Sequence, residues 1–300
     1  MFYIWFTYIK KYGGLTSNDT VGIIIDDLTF SYINDLQFFA YISNDVPFNI
    51  EVSTYPPPSN LLEGVKERYN YSHCKEFTKN TLNLYLDIDC LTIRKISSLF
   101  SEEYTNSIFV APEGKMIEGN YGGFFVSDEP DAADLPGFSS GCFAWTHSDA
   151  IQIFFDNVIK GITAEADTPL YTLDQPFYNY QLYLCINKKL RPELKRPELK
   201  GPELKGPELM IPELKIYIME SKIISINPLF SDKELSDAFF VNFCGEPGIE
   251  DCHFNKILAF MCVNFSFTRQ QLHEASATHH QQPLLPAEVA QQKEEHGLPQ

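Results

Sequence analysis

Short apolar runs alternate with amphipathic segments along most of this chain. Residues 21–26 and 82–89 are largely apolar and end in acidic residues, as strands buried in a parallel sheet do. Residues 147–161 instead repeat apolar side chains such as Ile151 and Phe154 at helical spacing. Strands interleaved with helices predict an α/β fold with a Rossmann-like, mixed but mainly parallel sheet and right-handed crossovers.

The same patterns predict the other elements. Helices are expected at 1–11, 59–78 and 174–185, and strands at 48–54, 107–111, 216–226 and 238–243. Residues 137–145 should begin as a turn and continue as a strand. The opening helix should end near Gly13 and Gly14. It is too short to cross a bilayer, which takes about 20 apolar residues, and it lacks the features of a signal peptide.

A repeat interrupts the pattern at 190–215, where Pro-Glu-Leu recurs five times with a period of five residues. A proline at this spacing removes backbone donors from helices and sheets, so we expect an extended surface excursion. It is either a tolerated low-complexity insertion or a docking segment for a partner. Residues 269–300 are polar and nearly without aromatic side chains, which predicts a disordered tail. The predicted organisation is one domain over 1–268, interrupted by the repeat, followed by this tail.

The composition narrows the function classes. A net charge of −17 argues against nucleic acid as a partner, because phosphate backbones are bound by clustered Lys and Arg. A small phosphate ligand stays possible, since one divalent cation can reverse the local charge. The seven cysteines form no C-x-x-C pair, which favours reduced, buried thiols. With no signal peptide or transmembrane span found, we expect a cytoplasmic protein.

The first candidate for chemistry is Asp87-Ile88-Asp89, the only D-x-D in the chain. Seventeen aspartates would produce about one such triplet by chance, so its position at the end of a predicted strand matters more than its presence. Two carboxylates two residues apart on a strand point to one side and could hold Mg²⁺ or Mn²⁺. The alternative is a pair of solvated acids at a strand end.

Three further segments follow in order. They are the glycine- and serine-containing 137–141, the helix start 173–177 with Asp174 and Gln175, and 241–248, where a strand runs into a glycine turn. Asp174 and Gln175 also suit plain structural roles, as an N-cap and a first-turn residue.

Together these segments resemble the nucleotide-diphospho-sugar transferases of the glycosyltransferase-A fold, most of all the glycogenin-like and galactosyltransferase-like family 8. Residues 86–100 are similar to that family's "LDxDhhhhxxhxxLF" segment, Phe138-Ser-Ser-Gly141 to its "FNSG" turn, and Asp174-Gln-Pro-Phe-Tyr-Asn179 to its "DQxxhN" helix start. The resemblance covers roughly residues 20–262, with the repeat as an interruption. It implies a glycosyltransferase-A type sheet and transfer of a sugar from a nucleotide-diphosphate sugar to a hydroxyl acceptor.

The resemblance also implies roles for individual residues. The ligands of Mn²⁺ or Mg²⁺ would be Asp87 and Asp89. The catalytic candidates that face the sugar or the acceptor would be Asp174 and Gln175. The nucleotide-sugar-binding residues would be Ser139, Ser140, Gly141, Asn242 and Gly245.

Two features depart from the family pattern. Asn242 stands where the family has a metal-binding histidine, and the chain opens inside what looks like the helix after the family's first strand, which predicts a sheet short of that strand. Both favour the alternative of a catalytically inactive, glycosyltransferase-like binding protein. A phosphatase of the haloacid-dehalogenase kind also places D-x-D at a strand end, but Cys90-Leu91 fits that family poorly.

Overall fold

We describe the protein from a computed structural model. The residues described are 2–35, 39, 44–70, 82–100, 104–118, 121–126, 130–164, 174–190, 214–219, 223–225, 238–243 and 256–257. The chain divides into two compact units, Met1–Cys244 and Gly245–Gln300. Of the second unit only residues 256 and 257 are described, so the account below concerns the first.

The described elements alternate between helices and strands. The α-helices are α1 (Phe2–Tyr12), α2 (Asp27–Asp35), α3 (Leu61–Lys66), α4 (Gly123–Val126), α5 (Asp149–Ala164) and α6 (Gln175–Leu190). The strands are β1 (Thr20–Asp26), β2 (Asn49–Tyr55), β3 (Asn83–Leu86), β4 (Cys90–Thr92), β5 (Ser107–Lys115), β6 (Pro136–Trp145), β7 (Lys215–Ile218), β8 (Ile223–Ser225) and β9 (Phe240–Asn242). Short 3₁₀ helices occupy Glu67–Tyr69, Ile96–Ser98 and Pro130–Ala132.

The strands form three sheets, and the predicted mixed α/β architecture is confirmed. A parallel pair joins β1 to β2, a four-stranded sheet has the order β3-β6-β5-β7, and a three-stranded sheet has the order β4-β9-β8. The pairs β1–β2, β5–β7 and β8–β9 are parallel, whereas β3–β6, β5–β6 and β4–β9 are antiparallel. The long strand β6 is central to the largest sheet.

The opening helix forms as predicted. Its apolar side chains Trp5, Phe6 and Ile9 are buried, which is the packing that stabilises so short a helix. It ends at Tyr12, where the Gly13 N–H still donates to the Ile9 carbonyl over 2.9 Å. The following Gly14 takes a φ of 63°, a conformation that glycine adopts without strain and that commonly ends helices.

The main core lies between β6 and the helices α5 and α6. The rings of Phe143, Phe154, Phe155 and Tyr178 are fully or almost fully buried there and meet at centroid distances of 5.4 to 5.9 Å. Burying one such side chain contributes about 1.5–3 kcal/mol. This aromatic packing holds the start of α6 against the middle of β6.

Two local predictions are corrected by the structure. The strand predicted at 82–89 ends at Leu86, and residues 87–89 form a turn closed by the Cys90 N–H donating to the Asp87 carbonyl over 2.9 Å. The predicted turn at 137–141 instead belongs to β6. Its pairing with β5 jumps from Val110 opposite Phe143 to Ala111 opposite Ser139, so the irregularity that the glycines indicated is a break in strand register.

The other predictions are met over part of their length. Residues 61–69 are helical within the predicted 59–78, and the later segment 216–226 is divided between β7 and β8. Most of the Pro-Glu-Leu repeat, at 191–213, and the tail at 269–300 lie outside the described residues, and the single domain over 1–268 stays a prediction. Among the described residues, no helix has the length and apolar character needed to cross a membrane.

Candidate functional site

The candidate site is built around the Asp87 carboxylate, directly after β3. One carboxylate oxygen, Oδ1, accepts a hydrogen bond from the Tyr85 hydroxyl at 2.5 Å, and the other, Oδ2, lies 3.5 Å from the Arg68 guanidinium. The Asp87 side chain keeps 30% of its exposure. It is therefore held in one orientation and still reaches solvent, as a ligand-binding group must.

Strand β6 approaches Asp87 closely because of a glycine. The Asp87 N–H donates to the Gly141 carbonyl over 2.8 Å, and a Cβ built on Gly141 would lie 2.8 Å from the Asp87 Oδ2 atom. Only a residue without a side chain fits beside this carboxylate in its present position. The predicted neighbourhood of the D-x-D and the Ser139–Gly141 segment is therefore present in the fold.

Arg68 links Asp87 to two other parts of the chain. It lies in the 3₁₀ helix after α3, and its Nη1 donates to the Ser140 carbonyl at 3.1 Å and to the Ser140 hydroxyl at 3.4 Å. The same nitrogen lies 3.5 Å from the Asp174 Oδ2 atom. Burial lowers the pKa of Arg68, but Asp174 and Asp87 raise it more, so the pKa stays well above its ordinary value and the group keeps its charge.

Asp174 is buried at the start of α6 and serves this network. Its Oδ2 accepts a hydrogen bond from the Tyr69 hydroxyl at 2.6 Å as well as pairing with Arg68. The Tyr69 ring is stacked between Phe143 and Tyr178, at 6.0 and 6.2 Å, which fixes the position of its hydroxyl. The carboxylate that looked like an ordinary N-cap is thus directed toward the side chains around Asp87.

The first turn of α6 also fixes the backbone of β6. The Gln175 Oε1 atom accepts from the Ser140 N–H at 2.9 Å. One turn later, the Asn179 amide accepts from the Phe138 N–H and donates to the Phe138 carbonyl, both at 2.8 Å. Two side chains of one helix therefore hold the residues before and within the Ser139–Gly141 segment, which makes its irregular backbone rigid.

The electrostatics of the cluster raise the pKa of Asp87 to about 6. Burial contributes most, and the negative charges of Asp89 and Asp174 add to it, whereas Arg68 and the Tyr85 hydrogen bond oppose it. Burial likewise raises the pKa of the Tyr85 hydroxyl well above its usual range, so this hydroxyl stays protonated and donates its hydrogen bond to Asp87. We call Arg68, Tyr85, Asp87, Ser140 and Asp174 the polar cluster.

A second group of polar residues lies on the other side of the turn. The Asp89 carbonyl accepts from the Phe243 N–H at 2.9 Å, and Asn242 pairs with Cys90 in the β4–β9 ladder. The Asn242 amide nitrogen donates to the Glu113 Oε1 atom at 3.1 Å, and the Asn242 residue is 6% exposed. Asn242 thus lies beside the D-x-D turn.

The donors at this turn fit a hard divalent cation in chemical type. Asp87 and Asp89 offer carboxylate oxygens and Asn242 an amide oxygen, which are ligand types that Mg²⁺ and Mn²⁺ accept. The charge of Asp89 contributes to the raised pKa of Asp87, so the two carboxylates repel each other at short range, and a cation between them would relieve this. Among the described residues, however, no three His, Cys, Asp or Glu side chains form a group that could hold a metal ion.

Several residues of the site could not be recognised from the sequence. Arg68 and Tyr69 lie in a charged helical segment that reads like a solvated surface, and Glu113 lies where the register of β5 shifts between Pro112 and Gly114. Tyr85 was visible only as an apolar strand residue. Of the residues that were predicted, Gly245 lies outside the described part of the chain.

The serines of β6 occupy different positions. Ser139 and Ser140 are almost completely buried, at 2% and 5% exposure. The Ser139 hydroxyl accepts from the Gly141 N–H at 3.3 Å, so it supports the local backbone, whereas Ser140 contacts Arg68 through both its carbonyl and its hydroxyl. Both serines are directed into the protein network, and the Gly141 position is the part of β6 that borders the Asp87 carboxylate.

No protein-family model matches the chain, and no curated protein matches it. Two solved structures to which it is similar are glycosyltransferases. One is a glycosyltransferase involved in the glycosylation of the major capsid of PBCV-1, at 13% identity and a TM-score of 0.40, covering 80% of this chain and 100% of that one. The other is mouse xyloside xylosyltransferase 1 in its apo form, at 11% identity and a TM-score of 0.43, covering 74% and 79%. At TM-scores this low, neither similarity assigns a fold family or an activity to this chain.

Proposed function

We propose that the protein is a metal-dependent glycosyltransferase that moves a sugar from a nucleotide-diphosphate sugar to a hydroxyl acceptor. One observation supports this most directly. Three segments that the sequence singled out separately, around Asp87, Gly141 and Asp174, meet at one place and are joined there by Arg68. The meeting point follows strand β3, where the side chain of Asp87 reaches solvent.

In this proposal the ligands of the cation are Asp87 and Asp89, with the Asn242 amide oxygen beside them. Mn²⁺ or Mg²⁺ bound there would neutralise the diphosphate of the donor. Tyr85 and Arg68 fix the Asp87 carboxylate, one on each oxygen, so that its position does not depend on the ligand.

Asp174 and Gln175 are proposed to face the sugar or the acceptor. The acceptor hydroxyl attacks the anomeric carbon and loses its proton as the bond from that carbon to the diphosphate oxygen breaks, through an oxocarbenium-like transition state. The Tyr69 hydroxyl and the Arg68 guanidinium hold the Asp174 carboxylate, whose side chain is 5% exposed, so the sugar or acceptor would meet it only at that exposed edge. Asn179 and Gln175 hold β6, so the whole arrangement is preorganised.

We also infer a reducing compartment such as the cytoplasm. Cys90, Cys142 and Cys185 are all buried thiols that form no disulfide. Cys90 and Cys142 lie in one apolar cluster with Phe239 and Phe240, where they act as small core residues.

The cation site is tested by thermal unfolding with Mn²⁺ and each of UDP, GDP, CDP and ADP. We expect the melting temperature of the protein to rise with Mn²⁺ and one of these diphosphates, and the rise to vanish in Asp89→Ala. Asp89 is preferred to Asp87 for this variant because Asp87 also pairs with Arg68, so its loss would disturb the fold. Asp156→Ala, on α5, is the matched control and should keep the full shift. Equal shifts in Asp89→Ala and the wild type would remove Asp89 from the cation site.

A catalytically inactive binding protein is the second candidate, and one observation favours it. The Asn242 amide is already bonded to Glu113, in the place where the resembling family has a metal-binding histidine. The two candidates differ in turnover. A protein that shows the Mn²⁺ and nucleotide shift, but releases no nucleoside diphosphate from a panel of nucleotide sugars with water or simple sugars as acceptors, would be the binding protein.

A further inference from the structure

A shallow, largely open depression of about 460 Å³ lies at the end of α1, outside the polar cluster. Its polar and aromatic lining comes from two helical segments, the loop after β4 and the residue before β9, and consists of Lys11, Tyr12, Arg94, Lys95, Ser98 and Phe239. We call this depression the basic basin.

The basic basin and the D-x-D turn lie at opposite ends of β4. Asp89 comes directly before this strand, and Arg94 follows it after Ile93. At a rise of about 3.3 Å per residue, the five steps from Asp89 to Arg94 span roughly 16 Å. The Ile93 N–H donates to the Phe239 carbonyl at 2.9 Å, so the partner strand reaches the basin at the same end. The basin is therefore a separate place from the proposed sugar-donor site.

The charge of the basin is opposite to that of the protein. Three cations line it in a chain whose net charge is −17, and no acidic side chain is among the lining residues. Within the part of the chain that the structure describes, Lys11 and Lys95 take part in no ion pair. The charge of Lys11, in the last turn of α1, also interacts favourably with the carbonyl end of that helix. Lys95 belongs to another segment and does not interact with the end of α1 in this way.

The backbone holds Lys95 over the end of α1. The Ile96 N–H donates to the Gly13 carbonyl at 2.9 Å, which joins the loop after β4 to the helix end. The Lys95 stem then lies against Gly14, where an added Cβ would come within 2.7 Å of the Lys95 Cγ atom. The stem fits there because glycine has no Cβ, and the φ of 63° at Gly14 also favours glycine. The side chain is thus packed in place and its ammonium group is exposed beside the basin.

Aromatic groups form the rest of the basin. The Lys11 ammonium lies 5.0 Å from the centroid of the Tyr12 ring, and Phe239 contributes an edge that is 8% exposed. Cations bind multiply charged oxyanions, and rings accept planar or apolar groups. A ligand that uses the whole basin must carry both kinds of group.

We propose that the basic basin is a binding site for a small organic phosphate, with the phosphate held by Lys11 and Lys95 and an aromatic or apolar part held by Tyr12 and Phe239. The site is independent of the sugar-donor site and needs no divalent cation. The Ser98 hydroxyl, on the 3₁₀ helix Ile96–Ser98, adds one donor at its edge.

The test measures binding of phenyl phosphate and of inorganic phosphate to the full chain by calorimetry, with a chelator present and the ionic strength held constant with chloride. Without a divalent cation, the carboxylates Asp87 and Asp89 repel phosphate, so binding at that site does not contribute. The double variant Lys11→Met plus Lys95→Met removes two charges and keeps the aliphatic stems. Lys160→Met, on the exposed side of α5, removes one charge elsewhere and is the control.

We expect the wild type and Lys160→Met to bind phenyl phosphate equally, and the double variant to bind it roughly tenfold more weakly or worse. Tyr12→Leu should weaken phenyl phosphate and leave inorganic phosphate unchanged. Melting curves that match the wild type establish that the variants are folded. The proposal is overturned if the wild type binds neither compound or if the double variant binds as the wild type does. Equal binding of the two compounds would overturn the organic part of the assignment.

Discussion

The charged side chains at the two ends of β4 differ in burial and in pairing. Before the strand, Asp87 and Asp174 are partly or fully buried and share the Arg68 guanidinium, so each charge has a partner. After it, the ammonium groups of Lys11 and Lys95 are exposed and have no ion pair among the described residues. Water solvates exposed charges, whereas a buried charge needs a partner within the protein. The polar cluster should therefore be tied to folding stability, and the basic basin to binding alone.

The largest effect on stability is expected for Arg68→Met. It leaves the Asp87 and Asp174 carboxylates next to each other without their shared cation, which should lower the free energy of unfolding by about 3 kcal/mol or more. Lys66→Met, two residues earlier, removes the ion pair with Glu63, whose side chain is 49% exposed and stays solvated without its partner, so the loss should be less than about 1 kcal/mol. Urea unfolding of both variants gives the two values. Similar losses would mean that the polar cluster is as dispensable as the pair of Lys66 with Glu63.

A smaller effect is expected at the contact between β6 and Asp87. Gly141→Ala puts a Cβ 2.8 Å from the Asp87 Oδ2 atom, so the carboxylate or the strand has to shift, at a cost of about 1–3 kcal/mol. The same variant should lose the melting-temperature shift with Mn²⁺ and nucleotide.

Gly64→Ala provides the matched control for this change. The nearest atom to a Cβ there is 3.5 Å away, on the Pro58 side chain, and Gly64 lies inside α3. Alanine should therefore stabilise the protein by about 0.4–1 kcal/mol. If both alanine variants are stabilised, the close approach of Gly141 to Asp87 is not present in solution.

A further predicted effect is a pH dependence at Asp87. Its pKa is raised to about 6 in the folded chain, from 3.8 in the unfolded chain, so the folded state holds this proton to higher pH. The stabilisation from this group is complete below about pH 4 and is lost as the pH rises to about 6. The loss should be about 3 kcal/mol at most in the absence of metal, because one pKa unit corresponds to about 1.4 kcal/mol and solvent still reaches 30% of the side chain.

Asp87→Asn isolates this contribution, because the amide does not titrate. The difference in unfolding free energy between the wild type and Asp87→Asn should change in favour of the variant as the pH rises from about 4 to about 7. A difference that stays constant over this range would contradict the raised pKa.

The sequence located most helices and strands but misplaced their ends near the site. The pattern of 82–89 looks like one strand, yet β3 stops at Leu86 because the Asp87 backbone pairs with Gly141 and then turns. The glycines at 137 and 141 look like a turn, yet both lie within β6. Alternation of apolar and polar residues reports burial, and it does not report where hydrogen bonding to a neighbouring strand shifts register.

The candidate site was predicted in part, by motif order. Asp87, Gly141 and Asp174 were singled out, and the fold brings them together through Arg68. Arg68 itself was missed, because one arginine in a charged helical segment has no local feature that separates a buried ion pair from a solvated one. The partner of Asn242, which is Glu113, was missed for the same reason.

The amino-acid sequence by itself determined the α/β class and the helix that opens the chain, because periodicity acts over a few neighbouring positions. The tertiary structure decided which distant side chains meet: it set one arginine between two aspartates and placed three cations around a depression at the far end of β4. Contacts of that kind depend on the packing of β6 against α5 and α6, which brings together residues that are far apart in the chain and gives them a common, partly dry environment.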